Sequence, residues 1–172
     1  VGEATDGDSL AWDTAQTLSN NPDVAEKNGY TNLEAWVDID HLIDYMMVNL
    51  FSKNWDSDLE NGNNWTAVRK RAPNEQWKFF LWDCEYSLAY IGVDQTGADV
   101  IGRPSHLYAR LRSNREFRLK FGDHVYKAYY NGGALTKEAG QARYSELTNT
   151  IFSAIVCESA RWGDVAVEPP NG

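Results

Sequence analysis

Residues 37–51 read Val37-Asp38-Ile39-Asp40-His41-Leu42-Ile43-Asp44-Tyr45-Met46-Met47-Val48-Asn49-Leu50-Phe51, and this stretch sets the fold class. Ile39, Leu42, Ile43, Met46, Met47 and Leu50 recur at steps of three and four, the period of one helix face. Val48 and Phe51 widen that face over much of the circumference, so the helix belongs in a core. The pattern reaches upstream through Tyr30, Leu33, Trp36 and Val37. Asp38 is placed to cap a restart, with Asp40 in the first turn, where the helix dipole favours a carboxylate.

Outward from this helix, residues 52–64 read Ser-Lys-Asn-Trp-Asp-Ser-Asp-Leu-Glu-Asn-Gly-Asn-Asn. They have no period and are dense in turn formers, which makes them a loop rich in oxygen ligands. Residues 65–70 and 76–82 read as two strands. Pro73 and Asn74 between them suit a hairpin, and the second strand runs straight into Asp83. A loop over 92–104 leads to a helical final third. There, 106–111 is followed by 114–130 with Phe117, Phe121, Val125 and Tyr129 at helical spacing. Asn131-Gly132-Gly133 stops that helix, and Thr136 caps a last one carrying Leu147, Ile151 and Ile155. Upstream, the Asp-, Asn- and Gly-rich residues 1–30 read as a peripheral lead-in with one short helix over 10–18. The expectation is an α+β, mainly helical chain with one small β-hairpin.

Composition bounds what such a chain can do. It has 172 residues, 42% hydrophobic and 24% charged, which at this length suffices for a core without disulfides or metals. Its two cysteines are therefore not a framework. No apolar run approaches the roughly 20 residues needed to span a bilayer. The net charge of −9 opposes attraction to a phosphate backbone and argues against nucleic acid as a partner. It is also unevenly spread. Residues 1–61 carry 13 acids against Lys27 and Lys53, a net −11, while residues 62–172 carry 14 bases against 12 acids, a net +2. An acidic half suits cation binding. Seven Trp point to a large aromatic core or a surface that stacks on ligands.

The residues with chemical potential come in a definite order: Asp56 and Asp58, then Asn63 and Asn64, a hairpin, then Asp83 and Glu85. In protein-kinase-like folds a helix leads into a catalytic loop with an Asp and, a few residues on, an Asn; a short hairpin follows, and a second Asp binds metal. Phosphoryl transfer asks little covalent chemistry of a protein. It needs a group to orient the acceptor hydroxyl and hard oxygen ligands for magnesium on the nucleotide phosphates. Asp and Asn in loops also serve as turn formers, so the order alone is not decisive. An EF-hand fails on spacing, with Gly62 one place late and Ala67 at position twelve. A glycosidase pairing of Asp83 with Glu85, with Trp as sugar platforms, stays open. Asn64-Trp65-Thr66 matches a glycosylation sequon, relevant only in a secretory host.

Several longer stretches carry a resemblance. Val37 to Asn49, Asn54-Trp55-Asp56 with Asn63-Asn64-Trp65, and Trp77-Lys78-Phe79-Phe80-Leu81-Trp82-Asp83-Cys84-Glu85 resemble the spore-coat protein H (CotH) kinase family. Asp6-Gly7-Asp8 with Ala11-Trp12, Phe117-Arg118, Tyr129 to Thr136, and Ala154 to Asp164 are similar to its larger extracytoplasmic members. The resemblance implies an atypical protein-kinase-like C-terminal lobe and phosphorylation of protein Ser or Thr with ATP and Mg2+. It also implies a secreted or cell-surface location and a protein or coat partner. By position it implies Asp56 as the catalytic-loop Asp, with Asn64 and Asp83 holding the metal and nucleotide and Glu85 as a further metal ligand. The wide Asp56-to-Asn64 spacing leaves Asp58 as the competing catalytic residue.

The sequence has no Gly-rich phosphate loop and no strand-borne Lys near its start. The chain is therefore expected to be a partial kinase-like domain over 1–172, lacking an upstream nucleotide-clamping lobe and inactive by itself. Its parts are the lead-in 1–30, a buried helix 31–51, the catalytic-type loop, hairpin and metal-binding strand end 52–91, and C-terminal helices 105–164. His41, His106 and His124 lack metal-ligand spacing and read as packed or solvated. Cys84 and Cys157 are open to pairing or to remaining free thiols. The run Arg103, Arg110, Arg112, Arg115, Arg118, Lys120 and Lys127 reads as a solvated face, or as a surface for an acidic partner. A second function class stays open: a non-catalytic carbohydrate- or surface-binding module, or a pseudokinase scaffold.

Overall fold

A computed structural model describes residues 4–60, 63–88 and 92–163. Asn61, Gly62 and Asp164 of the sequence reading lie outside these residues. The chain divides into two compact units, residues 1–126 and 127–172.

The first unit contains α1 (Leu10–Asn20), a 3-10 turn (Pro22–Ala25), α2 (Lys27–Glu34), α3 (Ile39–Ser52), β1 (Trp65–Val68), β2 (Lys78–Leu81), α4 (Pro104–Leu111) and most of α5 (Arg115–Tyr129). The two strands pair antiparallel, Trp65 opposite Leu81 and Val68 opposite Lys78. The described chain is thus α+β and mainly helical.

The long periodic run over 30–51 is two helices. The Asp38 carboxylate accepts the His41 backbone N–H at 3.0 Å and caps α3, as the sequence suggests. The break has a second cause: Val37 forms a parallel bridge to Trp77. Trp77 N–H donates to the Trp36 carbonyl at 2.8 Å, and Asp38 N–H donates to the Trp77 carbonyl at 3.1 Å. An unbroken helix would have consumed those backbone groups itself. The pause between α2 and α3 is where the hairpin docks. From α3, Leu42, Ile43 and Met46 enter the core with no exposed surface. His41 Nδ1 accepts the Phe79 N–H at 3.2 Å, so this imidazole is packed against β2.

The lead-in 1–30 is not peripheral. Trp12, Ala15, Tyr30 and, from the 3-10 turn, Val24 are buried in the same core as α3 and Phe79. Trp12 stacks on Trp65 at 5.4 Å and meets Trp77 edge-on at 5.3 Å. Its indole N–H donates to the Gly102 carbonyl at 3.1 Å. A polar average composition concealed one side chain that removes some 150–250 Å2 from water, enough to anchor the segment.

Leu107 and Leu111 of α4 and Phe117 of α5 close the core. Buried Asn114 caps α5, its Oδ1 accepting the Glu116 and Phe117 N–H groups. Its amide donates to the Val24 and Ala25 carbonyls, which ties α5 to the 3-10 turn. Lys120 donates to Asp40 at 2.9 Å, and His124 sits between Asp40 and Asp44. The Lys120 hydrogen bond holds the Asp40 carboxyl below its usual range. Much of the basic run is used internally. Arg112 donates to the Thr96 carbonyl, Arg118 to the Arg112 and Ser113 carbonyls, and Arg110 to Asp99.

The second unit holds the end of α5 and α6 (Lys137–Trp162), which Thr136 caps by accepting the Ala139 N–H. Gly133 is required at the turn between them: a Cβ there would lie 2.2 Å from the Lys127 carbonyl oxygen. Cys84 and Cys157 are both free thiols. Among the described residues, no helix is long and apolar enough to cross a membrane.

Candidate functional site

At the end of α3 the chain reverses through Lys53, whose backbone adopts a left-handed conformation with φ 49°. The next residue, Asn54, is buried and donates its amide to the Asn49 side chain at 3.3 Å. Its carbonyl accepts the Ser57 hydroxyl at 2.7 Å. The loop is therefore wound tightly against the helix that precedes it.

The two aspartates of this loop have opposite surroundings. Asp58 has no exposed surface. Its Oδ1 accepts the Tyr45 hydroxyl at 2.5 Å and its Oδ2 accepts the Ser105 backbone N–H at 2.6 Å. The Ser105 hydroxyl donates to the Asp58 backbone carbonyl at 2.8 Å. Burial pushes the Asp58 carboxyl above its ordinary pKa, with these hydrogen bonds pulling the other way. Burial, and then the Asp58 charge, push the Tyr45 hydroxyl up as well. Asp56 is partly exposed, and its carboxylate accepts the Asn64 amide at 2.9 Å and the Asn63 amide at 3.2 Å.

Asn64 stands directly before β1 with φ 43°, and Asp83, two residues beyond β2, has φ 51°. The antiparallel register puts both at the same, open end of the ladder. Asn and Asp enter this backbone region more readily than other side-chain-bearing residues, and such conformations gather at functional sites. Past Asp83 the chain turns back onto the loop after α3. Trp55 N–H donates to the Tyr86 carbonyl at 3.4 Å, their rings meet edge-on at 5.7 Å, and Leu88 N–H donates to the Ser52 carbonyl at 2.6 Å. Three stretches distant in sequence, 52–58, 63–64 and 82–88, are thereby joined at one mouth.

Of the residues singled out from sequence, Asp56 and Asn64 are in direct contact. Asp83 and Glu85 lie on the adjoining exposed turn, and among the described residues neither hydrogen-bonds to Asp56 or Asn64. Asp58 faces inward. Since β2 ends at Leu81, Asp83 and Glu85 lie on the turn beyond the strand. The Asn64 amide of the sequon is engaged with Asp56. The mouth has an apolar rim of exposed Leu81, Trp82, Tyr86 and Leu88.

Beside β1 a cleft of about 500 Å3 opens, walled by Trp12, Trp65 and Trp77, with Asn63 and Asn64 at its edge. The Arg103 guanidinium lies over the Trp65 ring, 5.4 Å from its centroid. This volume lies within the range of small-molecule sites. Sequence reasoning missed Tyr45, Ser105 and Trp12. A hydroxyl on the apolar face of α3 was the available signal for Tyr45, because a buried phenol needs a partner.

The Asn64 amide oxygen, Asp83 and Glu85 are hard oxygen donors, the type Mg2+ prefers. Among the described residues no group of three or more His, Cys, Asp or Glu could hold a metal ion by itself. That donor set fits Mg2+ held jointly with phosphates and water, the usual arrangement for this ion. No curated protein and no solved structure matches the chain. A family model described as CotH kinase protein matches residues 2–170. With the match running through α3, the Asp56 loop and the hairpin alike, the chain belongs to the CotH kinase family.

Proposed function

We propose that this chain carries the phosphotransfer site of a kinase-like enzyme that uses ATP with Mg2+ and phosphorylates Ser or Thr of a protein substrate. The observation that carries the reading is the Asp56 carboxylate, held by Asn63 and Asn64 at the mouth where the loop after α3 meets the turn after β2. Asp56 is the group that accepts a hydrogen bond from the acceptor hydroxyl and takes its proton. Its partial exposure suits that role, whereas the burial of Asp58 and the occupation of both its oxygens do not.

The donation of the Asn64 amide nitrogen to Asp56 leaves the amide oxygen as the atom to offer Mg2+, with Asp83 as the second ligand and Glu85 as an outer one. The bound ion would neutralise phosphate charge during transfer. The tryptophan-walled cleft shares Asn64 with this site, so a base or ribose resting against Trp65 would place its phosphates toward the mouth. The reading extends to a kinase-like lobe for the first unit and to an extracytoplasmic setting.

The test is transfer of labelled phosphate from Mg-ATP to a Ser/Thr protein substrate by the full-length protein. Asp56→Ala is expected to lower kcat by roughly 10²- to 10⁴-fold, the usual worth of a positioned acid–base group. Asp83→Ala is expected to lower transfer and to raise the Mg2+ concentration needed for the half-maximal rate. Normal transfer by Asp83→Ala would overturn the metal assignment, and absence of any transfer by the wild type would overturn the activity.

A further inference from the structure

We infer that Asp58 is a positioning residue for Asp56, acting through Tyr45 and Ser105. The inference rests on the reading of Asp56 as the group that orients the acceptor.

One buried carboxylate joins two elements far apart in sequence. Tyr45 lies thirteen residues upstream on α3, and Ser105 lies forty-seven residues downstream in the first turn of α4. Both carboxylate oxygens are used, and the Asp58 backbone carbonyl accepts a third bond from the Ser105 hydroxyl. Asp56 is two residues away. Between them Ser57 donates both its backbone N–H and its hydroxyl to the Asn54 carbonyl, and its hydroxyl accepts the Leu59 N–H, so the link from Asp58 to Asp56 is a short, tightly wound turn. The other side-chain bonds to Asp56 come from Asn63 and Asn64, on the far side of the loop. A shift of Asp58 therefore moves Asp56 against a hairpin mouth that stays in place. Asp58 cannot act on substrate itself, because it has no exposed surface and no free oxygen.

The electrostatics agree with a holding role. The donors that reach the Asp58 carboxylate are neutral, the Tyr45 phenol and the backbone N–H and hydroxyl of Ser105 at a helix start, so its charge is stabilised by directed hydrogen bonds, with Arg103 adding a weaker favourable field. Directed bonds fix a position more narrowly than a diffuse ion pair does. Misplacement of a catalytic group by about 1 Å is enough to cost on the order of 100-fold in rate.

The test uses Tyr45→Phe, which removes one hydroxyl and keeps the ring among its apolar neighbours, in the full-length protein. Two measurements are made on folded material, with folding verified by a cooperative melt. The first is the NMR signature of the Asn63 and Asn64 side-chain amides, which report the geometry of Asp56 whether or not phosphate is transferred. The second is the split between kcat and KM for Mg-ATP. The expected result is shifted or broadened amide signals and a fall in kcat of roughly 10- to 100-fold with KM changed less than about twofold. Ser105→Ala, which removes the hydroxyl that bonds the Asp58 carbonyl and accepts the Val100 N–H but keeps the Ser105 backbone N–H on the carboxylate, is expected to do the same more weakly.

Unchanged amide signals in both folded variants would overturn the inference, as would a kcat per folded molecule equal to wild type. If wild type transfers no phosphate, the proposed activity fails. The amide signals then still decide whether Asp58 positions Asp56.

Discussion

The loop after α3 and the turn after β2 are both short, polar and aspartate-bearing, yet they are built in opposite ways. The first is bound to helices on two sides: Asn54 and Asp58 are buried, and Tyr45, Asn49 and Ser105 hold them. The second, residues 82–88, lies on the surface, with Trp82, Tyr86 and Leu88 exposed. Its ties to the first loop are backbone hydrogen bonds and one aromatic contact. The proposed phosphotransfer role would use this asymmetry, holding one group still while admitting a phosphate donor and an acceptor. The held half carries Asp56, and the open half carries Asp83.

The comparison breaks most visibly under the held half. Leu42→Ala empties a fully buried position on α3, the helix that leads into the loop, and the expected loss is about 2–5 kcal/mol in chemical denaturation. A loss below 1 kcal/mol would mean that α3 is not the rigid base described. In the open half the backbone matters more than the packing. At φ 51°, Asp83→Gly should be nearly neutral for stability, whereas Asp83→Val should cost roughly 1–2 kcal/mol because a β-branched residue is strained there. Equal melting of the two variants would remove the conformational reason for an Asp at that position.

Between the halves lies the cap of α3. Asp38→Ala is expected to cost about 1 kcal/mol through the lost His41 N–H bond. The accompanying Lys78–Asp38 pair, at 3.6 Å with the lysine half exposed, should add little, which the Lys78→Ala control would measure.

A pH titration sharpens the comparison from the other side of the held half. Burial raises the Asp99 carboxyl, but hydrogen bonds from His106 and Arg110 outweigh it, and the net pKa lies below the ordinary 3.8. A carboxyl lowered on folding contributes stability that is complete above its ordinary value and is withdrawn as the pH falls through the lowered one. Wild type should therefore lose stability in strong acid more steeply than Asp99→Asn, as followed by melts across that range. The smallest effect belongs to the open rim. Trp82 is 63% exposed, and Trp82→Ala should change stability by less than about 0.5 kcal/mol in the same denaturation assay.

Much of this was legible in sequence, for reasons that differ by element. The α3 face, the Asp38 and Thr136 caps and the hairpin are local: their periods and turn residues act within a few positions, and the structure reproduces them. The lead-in was misread because a few scattered residues, Trp12, Ala15, Val24 and Tyr30, carry its burial, and an average over polar neighbours hides them. At the site, residue type and order singled out Asp56, Asp58, Asn64 and Asp83 as candidates. They could not tell Asp56 from Asp58, since both are carboxylates of one aperiodic loop.

The sequence by itself determined a mainly helical α+β chain, its order of loop, hairpin and strand-end aspartate, and the resemblance that the family match bears out. Those features rest on spacing along the chain. Only the tertiary structure decided which aspartate is buried and which is open, because that depends on Tyr45 and Ser105 arriving from helices far apart in sequence to occupy the Asp58 oxygens. It likewise decided that Trp12 walls a cleft beside β1, a contact across some fifty residues that no local period encodes.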